Sequence, residues 1–292
     1  IQLGVPPVVA IQIASLNCAE YFKVDRELGS IAPGKIADIL FVDDLSSFRV
    51  GRVMTNGRLV AQDGKLIQDL DSPAYPDRAL KTFFLRRPVS REDFRVATAH
   101  GDGPVQVWVI DVIEGQIISN KATGIVRAER GELLPNLDAD IIKMAVVERH
   151  GKTAPNVGRG FTRNYGIKAG ALGCSVAHDT HNICVVGVDD ADMALVVNRI
   201  AEMQGGMVVA KDGKVLGELR LPLAGIMTPV PFEQTAEELR ELHRVAREAL
   251  GCKLKSPFMT LCFQTNPSIP YLKLSDKGLM DIDTKTLIPL EV

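Results

Sequence analysis

The sequence predicts an α+β fold: a small β module followed by a larger mixed domain. Three patterns carry that prediction. Residues 49–67, RVGRVMTNGRLVAQDGKLI, break short apolar runs at Asn56-Gly57 and Asp63-Gly64, dipeptides that favour the tight turns of β-hairpins. From 105 onwards, apolar runs of strand length are followed by one helical segment and a hairpin. TAEELRELHRVAREAL (235–250) then sets Leu239, Leu242, Val245, Ala246 and Ala249 on one stripe of a helix, the spacing of an amphipathic surface helix.

The elements follow in order. Val8, Ile11 and Ala14 behind Pro6-Pro7 predict a helix over about 6–16, because the first helical turn tolerates proline. A second short turn ends near Phe22. IADILFVD (36–43) has the apolar density of a buried strand, and 49–67 supplies two or three more. Residues 71–104 predict a linker, since the stretch around 68–78 is rich in Asp and Pro. The domain over 105–292 opens with strands at 105–115, 141–151, 173–179 and 182–190. Asp189 or Asp190 caps a helix with Met193, Val196, Val197 and Ile200 on one face, as a side-chain acceptor does at a helix start. A hairpin over 206–221 turns at Asp212-Gly213. In the last helix, Thr235 and Glu238 have capping-box spacing, and Gly251 stands just past the end.

Charge and composition exclude several classes. The formal net charge is −2, so neither nucleic acid nor a membrane surface is an expected partner. No apolar run is long enough to span a bilayer. The five cysteines, Cys18, Cys174, Cys184, Cys252 and Cys262, are scattered and form no CxxC pair. That distribution fits reduced thiols and a cytoplasmic location.

Residues 177–182, AHDTHN, hold the densest group of chemically capable side chains. His178, Asp179 and His181 could ligate a transition metal, or could serve as a base or a substrate contact. The same spacing also suits a polar turn in which Asp179 and Asn182 bond local backbone. Arg149 and His150 close a buried strand, a position where function gathers or where a chain merely reaches solvent. Gly158-Arg159-Gly160-Phe161 has the composition of a plain surface turn, or of a basic glycine loop able to hold an anion. No Walker A, no H-E-x-x-H and no nucleophile elbow is present.

Gly29-Ser30-Ile31-Ala32-Pro33-Gly34-Lys35-Ile36-Ala37-Asp38-Ile39 resembles the β-module strand G-x-I-x-x-G-x-x-A-D-I/L that follows the metal barrel of amidohydrolases. VVERHGK (146–152), GRGF (158–161), SVAHDTHNICVVG (175–187), the run 193–215 and LPLAGIMT (221–228) together resemble the C-terminal part of bacterial and archaeal adenine deaminases. The resemblance implies a remnant of the last barrel helix at 1–23, half of an amidohydrolase β-sandwich at 24–70, and an adenine-deaminase-type α+β domain at 105–292. It implies conversion of adenine and water to hypoxanthine and ammonia, by attack of a metal-bound hydroxide at C6, with Mn or Fe as the divalent ion. It assigns His178, Asp179 and His181 to catalysis, with His178 and His181 as possible metal ligands, and Arg149, His150, Arg159 and Asn182 to substrate. The main metal ligands would lie upstream, so the chain is expected to be a C-terminal fragment that is inactive alone. Two other readings remain: a capping or assembly module with structural histidines, or an amidohydrolase of different substrate.

A β module that lacks its partner strands leaves edges that pair with other chains. Homo-oligomerisation through the edge of the 24–70 module is therefore expected. Sedimentation velocity should show an oligomer, and a monomer with that module ordered would overturn the expectation.

Overall fold

The computed structural model describes residues 1–68, 74–151 and 156–292. Residues 69–73, which end the expected β module and open the expected linker, lie outside the described residues. The chain divides into two compact units, Ile1–Ala74 and Tyr75–Val292.

In the first unit, helices α1 (Pro7–Ala14) and α2 (Leu16–Tyr21) precede β1 (Ile39–Asp44), β2 (Arg49–Thr55), β3 (Arg58–Gln62) and β4 (Lys65–Leu66). The strands form an antiparallel sheet in chain order. The glycine-rich motif before β1 has two visible jobs. Gly29 has φ +87°, and a Cβ there would stand 2.6 Å from the Ala19 Cβ on α2, so the close approach requires glycine. The Asp38 carboxylate accepts the Asn56 N–H at 2.8 Å and pins the β2–β3 turn. Ala19 is the unit's one fully buried hydrophobic residue among those described, as expected of a module too small to enclose a core.

The second unit is organised by one sheet. It contains β5 (Gly103–Val112), β6 (Ser119–Glu129), β7 (Glu132–Leu134), β8 (Ile141–Val147), β9 (Val157–Arg163), β10 (Ala171–Cys174), β11 (Ile183–Gly187), β12 (Gly206–Lys211) and β13 (Lys214–Arg220). Among the described residues these nine strands lie in the order β13-β12-β10-β11-β8-β9-β5-β6-β7. The β5–β9 pair is parallel and the others antiparallel. Short helix α3 (Asp77–Leu80) precedes the sheet. Helices α4 (Asp190–Glu202), α5 (Phe232–Leu250) and α6 (Pro257–Phe263), with strands β14 (Leu272–Ser275), β15 (Gly278–Asp281) and β16 (Thr286–Leu287), complete the unit.

Alternation along the central strands sends side chains to two cores. Ala145, Val147, Ile183, Val185, Val208 and Ala210 pack with Met193, Val196, Val197 and Ile200 of α4. Met144, Val146, Cys184, Val186 and Val209 pack with Leu242 and Ala246 of α5, Phe258 and Leu261 of α6, and Leu274 of β14. Burial on both faces explains why these strands are apolar throughout. Asp189 caps α4, its carboxylate accepting the N–H groups of Ala191 and Asp192 at 2.9 Å.

Several expectations change. The predicted linker 71–104 does not describe residues 83–96: Phe83, Val89, Phe94 and Val96 are buried. Arg87 and Asp93 hold that stretch with paired 2.7 Å bonds, and Arg87 pulls the Asp93 carboxyl down to about 2. The strand expected at 173–179 ends at Cys174. Helix α5 begins at Phe232 behind Pro231 with no side-chain cap, so Thr235 is not its start; the Thr235 hydroxyl donates to the Pro231 carbonyl instead.

The GRGF segment is not a loop but lies within β9. A Cβ on Gly158 would stand 1.8 Å from the Ser275 carbonyl oxygen, while one on Gly160 would meet side chains alone, Leu274 at 3.4 Å and Leu279 at 3.8 Å. The first glycine thus admits the β14–β15 hairpin, where backbone cannot yield. Gly158→Ala should cost about 2 kcal/mol or more, as overpacking against rigid neighbours does. Gly160→Ala should stay within roughly 1 kcal/mol. Urea midpoints of the two variants check this.

Candidate functional site

Strands β8 and β11 pair with Val147 opposite Ile183. Beyond that pair the two chains leave the sheet side by side, which brings residues 148–150 next to 180–182. The Arg149 N–H donates to the Asn182 Oδ1 at 3.4 Å. The His150 Nε2 lies 2.8 Å from the Thr180 carbonyl, so that nitrogen carries the hydrogen and donates it.

His178, Asp179, His181, Asn182, Arg149 and His150 therefore share one region. The His178 and His181 rings meet edge to face with centroids 5.8 Å apart, and His178 rests against Phe263 at 5.3 Å. Both imidazoles are half-buried, while Asp179 and His150 are exposed. The His181 Nδ1 is 3.0 Å from the Val176 carbonyl. A carbonyl can only accept, so Nδ1 holds the hydrogen and Nε2 keeps a lone pair in the neutral ring. The His178 carbonyl lies 3.1 Å from the Thr265 hydroxyl, which shares its one hydrogen between it and the Cys262 carbonyl at 2.8 Å.

Arg149 occupies a different position from the one expected. It is 3% exposed, and its donors go to main-chain carbonyls and one hydroxyl. Nε donates to the His181 carbonyl, Nη1 to the Thr82 carbonyl at 3.2 Å and its hydroxyl at 2.8 Å, and Nη2 to the Ala224 carbonyl at 3.0 Å. The guanidinium also lies 4.2 Å over the Phe83 ring. Burial lowers its pKa to about 10, which leaves it cationic at neutral pH. The geometry makes it a brace that fastens the His181 backbone to two remote segments.

Asn182 is buried and binds outward as well, its Nδ2 donating to Asp276 Oδ1 at 3.4 Å. Asn156 Nδ2 holds the other oxygen of Asp276 at 3.1 Å. Arg159 is not part of the cluster. Its Nε donates to the Asp93 carbonyl at 2.6 Å, and it lines a separate surface cleft with Arg95 and Lys277. Thr82, Ala224, Thr265 and Asp276 complete the surroundings of the loop, and sequence spacing offered no signal for them because they come from distant segments. A shallow cleft of about 510 Å³ beside His150 is lined by Asp77, Arg78, Lys81, Thr82 and Phe84. Lys152, the last residue of the VVERHGK motif, falls in 152–155, outside the described residues.

Chemically, the loop offers an acceptor at His181, a second imidazole at His178 and an exposed carboxylate at Asp179. Among the described residues, no three His, Cys, Asp or Glu side chains are arranged to hold a metal ion. His178 and His181 alone do not make such a centre.

Comparison with known proteins places the chain in a class and then in a family. Residues 2–60 match the amidohydrolase family. Residues 116–286 match the adenine deaminase C-terminal domain, and the chain belongs to that family. It is 44% identical over 281 residues to an adenine deaminase of Moorella thermoacetica, covering 96% of this chain and 47% of the relative. For the adenine deaminases of Methylobacterium nodulans and Desulforamulus reducens the identities are 43% and 41%, covering 99% and 100% of this chain and 49% of each relative. The chain spans about half the length of these relatives.

Arg149→Lys tests the brace. Lysine keeps the charge but loses the planar fork that serves separated carbonyls. The variant should have a lower melting midpoint, and hydrogen exchange of the 178–182 amides should quicken by about tenfold or more, the equivalent of roughly 1.4 kcal/mol. Unchanged exchange at those amides would show that Arg149 does not hold the loop.

Proposed function

We propose that this chain is the C-terminal region of an adenine deaminase, and that the protein containing it hydrolyses adenine at C6 to hypoxanthine and ammonia. The observation that carries the reading is identity of 41–44% to proteins of that name over 96–100% of the chain. Water adds at C6, the ring accepts a proton, and ammonia departs after the amine is protonated. Such a reaction needs positioned proton donors and acceptors. His181 Nε2, with its partner nitrogen tied to Val176, suits an acceptor role. His178 and Asp179 stand beside it, with His150 and Asn182 next to the loop as substrate contacts.

Membership in the amidohydrolase class suggests a divalent metal for the complete enzyme, and Mn or Fe is the expectation. The described residues give such an ion no site, so no step through it is drawn from this chain. A homo-oligomer and a cytoplasmic location belong to the same reading. Among the described residues no helix is long and apolar enough to cross a membrane.

A second reading has its own support. Ring nitrogens of His150 and His181 are both bonded to main-chain carbonyls, as structural histidines are. The region would then cap or assemble the enzyme without touching adenine.

Of two measurements, the first tests the ground both readings share and the second separates them. The 292-residue chain with Mn²⁺ or Fe²⁺ should release no ammonia from adenine, and turnover by it would overturn the assignment of the reaction to the longer protein. In a protein extended to the length of the relatives, His178→Ala and His181→Ala should each lower kcat by about 10² while circular dichroism is unchanged, the usual scale of lost acid–base help. Full turnover with a lowered melting midpoint would favour the capping role.

A further inference from the structure

Three cysteines meet directly beneath the AHDTHN loop. Cys174 ends β10, Cys184 is its opposite residue on β11, and Cys262 lies on α6. All three are fully buried and free of disulfides. The Cys174 Sγ is 3.4 Å from the Cys184 Sγ and 3.3 Å from the Cys262 Sγ. One buried cysteine would be read as a small apolar side chain. Here one sulfur touches two others, at the junction of two strands and a helix.

The surroundings distinguish the central sulfur from its neighbours. Against the effect of burial, its contacts with the Cys184 and Cys262 sulfurs, and then the N–H groups of Val176 and Ala177, pull the Cys174 thiol well down from its ordinary value. Burial pushes Cys184 up. Cys262 also rises, its contact with Cys174 being the largest cause. Cys174 stands four residues before the half-exposed His178, which rests on Phe263, the residue after Cys262. Opening of that loop is the kind of local fluctuation that exposes buried groups without global unfolding.

We propose that Cys174 is an oxidation site for hydrogen peroxide, and that Cys262 or Cys184 closes a disulfide upon it. The Cys174 sulfur attacks one peroxide oxygen and the O–O bond breaks. The leaving oxygen departs as water with the thiol proton, leaving a sulfenic acid on Cys174. The neighbouring thiol then attacks that sulfur, the S–O bond breaks, and a second water leaves. In sum, two thiols and one hydrogen peroxide give one disulfide and two waters. The sulfurs need to approach by only about 1.3 Å to reach a bond of about 2.05 Å. A Cys174–Cys262 bridge would tie α6 to the strand end that leads into the loop, beside the Thr265 hydroxyl that lies 3.1 Å from the His178 carbonyl.

The test uses the 292-residue chain with Cys18→Ser and Cys252→Ser, so that only the three clustered thiols remain. The folded protein is treated with hydrogen peroxide, then denatured, alkylated and mapped by mass spectrometry. The expected result is loss of two thiols per chain, a crosslink containing Cys174, and full recovery with dithiothreitol. Adding Cys174→Ser should abolish the loss. A second variant, with Cys184→Ala and Cys262→Ala in place of Cys174→Ser, keeps Cys174 without a partner. It should give a dimedone adduct at Cys174 and no crosslink. The proposal is overturned if the three thiols survive peroxide that fully oxidises Cys18 in the unsubstituted chain. A Cys184–Cys262 crosslink in the Cys174→Ser variant, or no dimedone adduct in the second variant, would overturn it equally.

Discussion

The antiparallel register of β8 with β11 is the constraint on which the candidate site depends. With Val147 opposite Ile183, the residues that follow one strand must run beside those that precede the other. Arg149 and His150 are thereby delivered to Thr180, His181 and Asn182. A slip of one residue would reverse which side chains of β8 face α4 and which face α5 and α6. The two cores forbid that slip, because Ala145 and Val147 fit one and Met144 and Val146 the other. Packing far from the histidines therefore sets their neighbours.

A sheet buried on both faces has to settle its polar groups internally. Lys143, the charged residue of β8, is 3% exposed and is met by Glu132 at 2.6 Å and Asp190 at 2.8 Å. Arg149 meets no carboxylate and is satisfied by carbonyls, a hydroxyl and an aromatic face. The difference has a physical consequence. Lys143 closes a local charge balance, whereas Arg149 stitches together main chain from residues 82, 181 and 224. Removing a buried donor of that kind leaves several acceptors without partners, which is costlier than losing one surface contact. The loop that bears His181 is therefore anchored at the His181 carbonyl, while its histidines reach solvent.

Local patterns were legible where one chain segment suffices. Asn56-Gly57 and Asp63-Gly64 do turn hairpins, with positive φ at all four residues, and Asp189 does cap α4. Strand β6 escaped because SNKATGIVRAE is polar at many positions. Its burial comes from neighbours on the sheet that spacing alone does not reveal. The GRGF glycines suggested an anion loop, since composition cannot tell a glycine that greets a phosphate from one that admits a passing hairpin. Residues 83–96 fell inside the linker expected from the Asp- and Pro-rich stretch around 68–78, yet Phe83, Val89 and Phe94 each find a place in the core beside α4.

The sequence by itself determined the α+β class, the family and the dense polar loop, because turn dipeptides, caps, apolar periodicity and motif residues are local in the chain. Only the tertiary structure decided what each candidate touches. Arg149 became a brace, Arg159 was carried to another cleft, Asp276 arrived beside Asn182, and three scattered cysteines were brought into contact. Those outcomes depend on strand order, register and helix placement, which join residues up to about a hundred positions apart. Such distances are set by the burial of two cores at once, and no short window of sequence contains them.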